Sequence, residues 1–345
     1  MPFFCILLVA GLVFAAGPIV VDHTCCDLTV IPESALRDAK DNLSIAYGHT
    51  SHGSQLTTGM TGLVDFINGG GLGLSFDTDF FAYNSTGSGG VLRLQDGISG
   101  ASDLGSPDRT TWATATRTLL DDANYSHINV IIWSWCGQVD GTEEEINTYL
   151  NLMNQLEIDY PDVQFVYMTG HLTGTGQDGN VNIRNQQIRD YCTANDKILY
   201  DFADIESYDP DGLVDYMPLL CNDNCDYDSN NDGTRDTNWA TVWQGTHTEG
   251  VDWYTCSAAH SQSLNGNRKA YAAWYLWACL AGWQQVCPIE YQADFDGNCM
   301  VDIDDLARMV QSWLEGDAVT DISPNGITDA NDFFILSAEW LLGVE

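Results

Sequence analysis

The chain has 345 residues, with 49 Asp and Glu against 12 Lys and Arg and a formal net charge of −37. That excess excludes nucleic acid as a partner, because a polyanion would be repelled instead of releasing counterions, and it leaves neutral glycans as accommodating ligands. About 260 residues remain once both ends are set aside, enough for one large domain with its own core.

Residues 3 to 16 are almost wholly apolar and end in Ala15, Ala16 and Gly17, the pattern of a signal peptide over residues 1–17. The stretch is too short to span a bilayer comfortably, and no other segment is a candidate span, so the protein is expected to be secreted, extracellular or at the cell surface. In that oxidising setting several of the ten cysteines left after processing are expected to be bonded, with Cys221/Cys225 and Cys225/Cys256 as local candidates.

Residues 28–286 form the next domain. Leu43 to Tyr47, Asn129 to Trp133, Val163 to Met168 and Ile198 to Phe202 are short runs rich in Val, Ile and aromatics, which predicts buried strands. Between them Glu143 to Leu156 and Ile183 to Cys192 carry helical periodicity, and Asn265 to Trp283 predicts a long aromatic helix whose rings belong to the core. Strands alternating with helices imply an α/β fold, a parallel sheet covered on both faces. Ligands of such sheets bind beyond the carboxyl ends of the strands. Those ends read Gly48-His49-Thr50-Ser51-His52-Gly53-Ser54, Ser134-Trp135-Cys136-Gly137-Gln138, Thr169-Gly170-His171 and Asp204-Ile205-Glu206-Ser207.

A strand, a Gly/Ser/His turn and a helix starting near Gln55 make the setting of an activated serine, whose hydroxyl meets exposed helix amides. Gly48, His49, Ser51 and Gly53 match a Gly-His-x-Ser-x-Gly block, and with Tyr160-Pro161, Thr169 and the run Tyr200 to Ser207 the chain resembles the SGNH, or GDSL-like, hydrolase superfamily over most of residues 40–282. The resemblance implies a three-layer, flavodoxin-like parallel sheet and a serine esterase. It makes Ser51 the nucleophile, with Ser54 the runner-up in the same turn, and His260 the base. An Asp is expected three residues before the base, where this chain has Ser257; Asp252 or Glu249 is the substitute from the same loop, or the pair works as a Ser-His dyad. Oxyanion donors are expected from the Ser51 amide, from Gly89 in Gly87-Ser88-Gly89-Gly90, and from Gln138 where the superfamily has Asn. The alternatives are a non-catalytic carbohydrate-binding or surface-assembly protein, and a metal-dependent hydrolase using His49 and His52 with His171, His247 or Asp201.

Asp228, Asn230, Asp232, Thr234 and Asp236 follow the first nine positions of a calcium loop, with Gly233 sixth and Trp239 where the closing carboxylate belongs. This is either a third calcium site or an Asx-rich surface turn. A short segment around Cys287-Pro288 leads to residues 290–345, where one twelve-residue pattern occurs twice, 27 positions apart. Asp294, Asp296, Asn298, Met300 (through its carbonyl), Asp302 and Asp305 stand at positions 1, 3, 5, 7, 9 and 12. Asp321, Ser323, Asn325, Ile327, Asp329 and Asp332 repeat them. Calcium takes six to eight oxygens, and alternating loop side chains followed by a carboxylate on the next turn supply them. Leu306, Met309, Trp313 and Leu314 after the first loop correspond to Phe333, Leu336, Trp340 and Leu341 after the second, so two amphipathic helices are expected to bury their stripes on each other. The tandem unit, with Asp at position 12, resembles a type I dockerin, a small all-α module with two EF-hand-like Ca2+ loops. That resemblance implies a cohesin-like scaffold partner and a polysaccharide substrate. Cys299 replaces the usual glycine of the first loop, and Ile303/Asp304 and Ala330/Asn331 stand where Ser/Thr pairs commonly meet cohesin.

Overall fold

The structure is a computed structural model that describes residues 18–284, 291–295, 301–316 and 319–341. Residues 1–17, expected to be a signal peptide, the segment around Cys287-Pro288 and Asp296, Asn298 and Met300 lie outside the described residues. The chain divides into two compact units, Met1–Gly282 and Trp283–Glu345.

In the first unit the apolar runs form a seven-stranded sheet, every pair of it parallel. Its strands are β1 (Ile19–Val21), β2 (Ser44–Gly48), β3 (Tyr83–Asn84), β4 (Leu92–Asp96), β5 (Val130–Trp133), β6 (Gln164–Met168) and β7 (Ile198–Tyr200), in the spatial order β1-β7-β6-β5-β2-β4-β3. The order reverses at β2, which lies between the later strands β4 and β5. Such a reversal opens a crevice at the carboxyl edge. Around the sheet run α1 (Glu33–Asn42), α2 (Ser54–Asn68), α3 (Thr111–Leu120), α4 (Glu143–Asp159), α5 (Asn180–Ala194), α6 (Phe202–Ile205), α7 (Trp239–Thr246) and α8 (Ser263–Leu280).

Strand side chains alternate between faces. Ala46, Ile131, Trp133, Phe165, Tyr167 and Leu199 join one buried cluster with Trp112 of α3, Tyr149 of α4 and Ile188 of α5. On the other face Tyr200 Oη donates to the carbonyl of Lys269 in α8 (2.7 Å). There α8 crosses α2 closely enough that a Cβ on Gly59 would stand 2.1 Å from the Gly266 carbonyl oxygen, so only glycine fits. Tyr271, Trp274 and Trp277 of α8 are buried, which makes them core and not sugar platforms.

The second unit holds α9 (Ile303–Gln311) and α10 (Ala330–Glu339). Met309 and Leu336 are buried together with Ala293, Phe295 and Val301. Trp313, Leu314, Phe333, Trp340 and Leu341 remain exposed. The expected burial of whole stripes is thus limited to their centre: α9 stops at Gln311 and α10 at Glu339, so the last two positions of each stripe fall beyond the helix. The internal repeat is geometric as well. Leu314 N donates to Thr328 O and Leu341 N to Val301 O, both at 2.8 Å, and both leucines are left-handed, with φ of 67° and 58°. Donors and acceptors in the two bonds are 27 positions apart, the period of the loops.

Candidate functional site

The turn after β2 is tightly held. Tyr47 Oη donates to the Gly53 carbonyl (2.8 Å), Thr50 Oγ1 donates to the buried Asp103 (2.7 Å), and a Cβ on Gly53 would lie 2.1 Å from Ser134 Oγ. Ser51 opens a helical turn (Ser51–Gly53) that runs into α2. Its φ is 25°, a left-handed value that a side chain makes costly. It is exposed. Ser54, the runner-up, spends its hydroxyl on the Ser51 carbonyl (2.6 Å).

Next to Ser51, His52 is buried at the centre of a cluster with residues from four other segments. Its ring stacks on His171 from the loop after β6 (centroids 3.7 Å, planes 4° apart) and on His260 from the loop before α8 (4.5 Å, 22°). Its Nδ1 faces Cys136 Sγ at 3.4 Å and its Nε2 faces Asp223 Oδ2 at 2.9 Å. His260 carries a left-handed φ of 63°. His171 Nδ1 meets the Leu172 carbonyl (2.8 Å). Burial lowers the His171 pKa, opposed by Glu206. Burial would raise that of Asp223, but the His52 hydrogen bond and the two imidazoles hold it below the ordinary carboxylate range.

Behind His171 lies a fully buried ion pair. Lys269 Nζ donates to Glu206 Oε2 and to Gln55 Oε1, both at 2.5 Å, and Glu206 Oε1 accepts the Leu172 amide. Burial lowers the Lys269 pKa, and the Glu206 carboxylate acts against it. The floor of the cluster is therefore charged and fully buried, with Lys269 and Glu206 bonded to each other.

The remaining expected residues fall in different places. Asp252 Oδ2 accepts the Thr248 amide (2.7 Å) and Glu249 Oε1 the Thr255 hydroxyl (2.7 Å); among the described residues neither bonds to His260. Gln138 Oε1 accepts the Cys136 amide (3.0 Å), leaving its NH2 group to donate. Gly89 lies in the loop between β3 and β4, and β3 pairs with Leu92 and Arg93, the amino end of β4, whereas Ser51 follows the carboxyl end of the parallel neighbour β2. The glycines at the carboxyl end of β4 are Gly97 and Gly100, a signal the chain order offered and the Gly-rich run obscured.

The metal set splits. His49 Nε2 pairs with Asp96 (2.5 Å), His247 stacks on Trp243, and Asp201 binds Arg189 and caps α6. Donor atoms of His52, His171 and Asp223 do lie within 4.8 Å of one another. Imidazole ligates along an in-plane lone pair, and here the two rings stack, with centroids 3.7 Å apart and planes 4° from parallel. An ion between them would sit well out of both ring planes, away from those lone pairs. The eight described cysteines are free thiols. Neither Cys221/Cys225 nor Cys225/Cys256 is bonded, and Cys225 Sγ faces Ser261 Oγ instead (3.6 Å).

The second twelve-residue loop, Asp321 to Asp332, is tied from within. Asp321 accepts the amides of Asn325 (3.1 Å) and Gly326 (2.7 Å), Asn325 Oδ1 accepts that of Ile327 (3.1 Å), and the buried Asp332 accepts those of Ser323 and Asp329. Burial would raise the Asp332 pKa, but these amides hold it down. In the first loop Asp305 likewise accepts the amides of Phe295 (2.6 Å) and Asp302 (2.9 Å). The 228–236 segment repeats the first part of the pattern: Asp228 accepts the amides of Asp232 (3.1 Å) and Gly233 (2.6 Å), and Asp232 that of Thr234 (2.9 Å). Its positions 1, 5, 6 and 7 thus bond as those of the second loop do.

Together these features define an α/β protein with a parallel sheet, polar strand ends and a separate C-terminal unit. No helix among the described residues is long and apolar enough to cross a membrane. The chain matches no protein-family model, no curated protein and no solved structure.

Proposed function

We propose that the protein is a secreted serine hydrolase that removes acyl groups from polysaccharide and is held to a cohesin-like scaffold by a dockerin-type, calcium-binding C-terminal unit. The observation that carries the enzymatic part is the position of Ser51: exposed, left-handed, and at the carboxyl end of β2, where the strand order reverses. His260 comes to the same strand end through its stack on His52. In this reading Ser51 Oγ attacks the acyl carbonyl while His260 takes its proton and passes it to the departing sugar oxygen. Water then attacks the acyl-Ser51 ester, and the proton returns to Ser51. The NH2 group of Gln138 is the side-chain donor available to the oxyanion.

Calcium suits the tail because both loops offer hard oxygen donors at the required spacing. Asp294, Asp296, Asn298, Met300, Asp302 and Asp305 would hold one ion and Asp321, Ser323, Asn325, Ile327, Asp329 and Asp332 another. The shared bonding pattern of Asp228 to Thr234 supports a third. Reaction with a simple aryl acetate tests the enzymatic reading: acid quench is expected to trap an acetyl group on Ser51 that is absent from Ser51→Ala, and chelator added after folding to leave that acylation unchanged.

A second reading, a non-catalytic carbohydrate-binding or assembly module, is favoured by the bonds that hold Asp252 and Glu249 away from His260. Retention on acylated glycan with no release of acyl groups would select it.

A further inference from the structure

We propose that Cys136, His52 and Asp223 form a second acyl-transfer centre, in which the Cys136 thiol is the nucleophile and Ser51 takes no part. The three residues come from three segments: Cys136 follows β5, His52 precedes α2, and Asp223 lies in the turn between Cys221 and Cys225. One ring nitrogen of His52 faces the thiol at 3.4 Å and the other faces the carboxylate at 2.9 Å. A carboxylate can only accept, so it selects the tautomer with the proton on Nε2 and turns the Nδ1 lone pair toward Sγ. This is the order nucleophile, base, orienting acid that covalent catalysis requires.

The surroundings fit that use. His52 is fixed by its stack on His171, and His171 by the Leu172 carbonyl. Gln138 holds the Cys136 amide. Cys136 is partly exposed, and at the neighbouring Gly137 a Cβ would meet no atom within 4 Å, so an acyl group has room to approach. Burial pushes the other described thiols, Cys25, Cys26, Cys192, Cys221, Cys225, Cys256 and Cys279, above their ordinary range, which disfavours their thiolates.

The substrate class is an acyl ester or thioester. His52 Nδ1 takes the thiol proton, Cys136 Sγ bonds to the acyl carbon, and the bond from that carbon to the leaving oxygen or sulfur breaks. The leaving atom receives the proton from His52. Water then adds to the thioester with His52 as base, the C–S bond breaks, and the proton returns to Cys136 as the acid departs.

The test is brief treatment of the full chain with iodoacetamide, with peptide mapping by mass spectrometry. Cys136 is expected to be alkylated first, and its rate to fall by about 10²-fold in His52→Gln. Asp223→Asn, at a more exposed position, is expected to slow it as well, with an unchanged melting temperature showing that the fold persists. Ser51→Ala should alkylate at the wild-type rate. An acetyl group trapped on Cys136 after acid quench of an aryl acetate reaction supports the proposal even if Ser51→Ala is fully active, an outcome that removes the serine reading alone. Alkylation of Cys136 no faster than of the other cysteines, or at the same rate in folded His52→Gln and Asp223→Asn, overturns it.

Discussion

Lys269 and Glu206 show what a single residue can decide here. Both are fully buried, so removing one partner strands a charge in the interior. Lys269→Met is expected to destabilise the first unit by about 3–5 kcal/mol in urea unfolding, and Glu206→Gln added to it to recover part of the loss. A similar argument applies to Asp22, whose pKa burial and the Asp204 carboxylate push up to about 6. The folded chain then binds this proton more tightly than the unfolded one, so stability falls as pH rises from about 4 to 6 and stays lowered above that. Asp22→Asn should therefore unfold at higher urea than wild type at pH 7, with the difference closing by about pH 4; equal midpoints at pH 7 would contradict the argument. At this scale Ser51 and His52 were legible because turn chemistry after a strand announces them, whereas His260 was reached only through the family resemblance. Asp223 and Cys136 were not, since their partnership with His52 spans 171 and 84 positions and nothing local marks it.

At the scale of elements, legibility followed the strength of the local signal. The four central strands were found to within one or two residues because each is a continuous apolar run buried on both faces. The edge strands β1 and β3 were missed, being three and two residues long, too short for any periodicity. Strand β4 was missed although Leu92, Arg93 and Leu94 alternate, because the preceding glycines read as loop. The α4 terminus carries a full capping box between Thr142 and Glu145, and Thr142→Ala is expected to cost about 1 kcal/mol. The contact of α2 with α8 is less forgiving. Gly59→Ala sets a methyl against the Gly266 carbonyl, which cannot rotate away, and should cost about 1–3 kcal/mol by the same unfolding measurement.

For the whole molecule, the charge of −37 is unevenly compensated. Residues 290–345 hold thirteen carboxylates and a single Arg, so the loops concentrate like charges that bound calcium would offset. Calorimetry of the full chain should resolve a transition that moves down on chelation, belonging to the second unit, while the transition of the first unit keeps its temperature. Calcium-independent melting throughout would remove the ion-binding reading of the tail. The parallel α/β class was legible from strand and helix alternation. The proposed joining of Ser51 to His260 rests on family resemblance, because more than two hundred positions separate them and among the described residues His260 is seen to stack on the neighbouring His52.

That joining is tested most directly by an activated-serine label. Fluorophosphonate treatment of the full chain, followed by peptide mapping, should place the label on Ser51 and lose it in both Ser51→Ala and His260→Ala. Labelling that persists in Ser51→Ala, or a folded wild-type chain that takes no label, would contradict the assignment of Ser51 as an activated nucleophile.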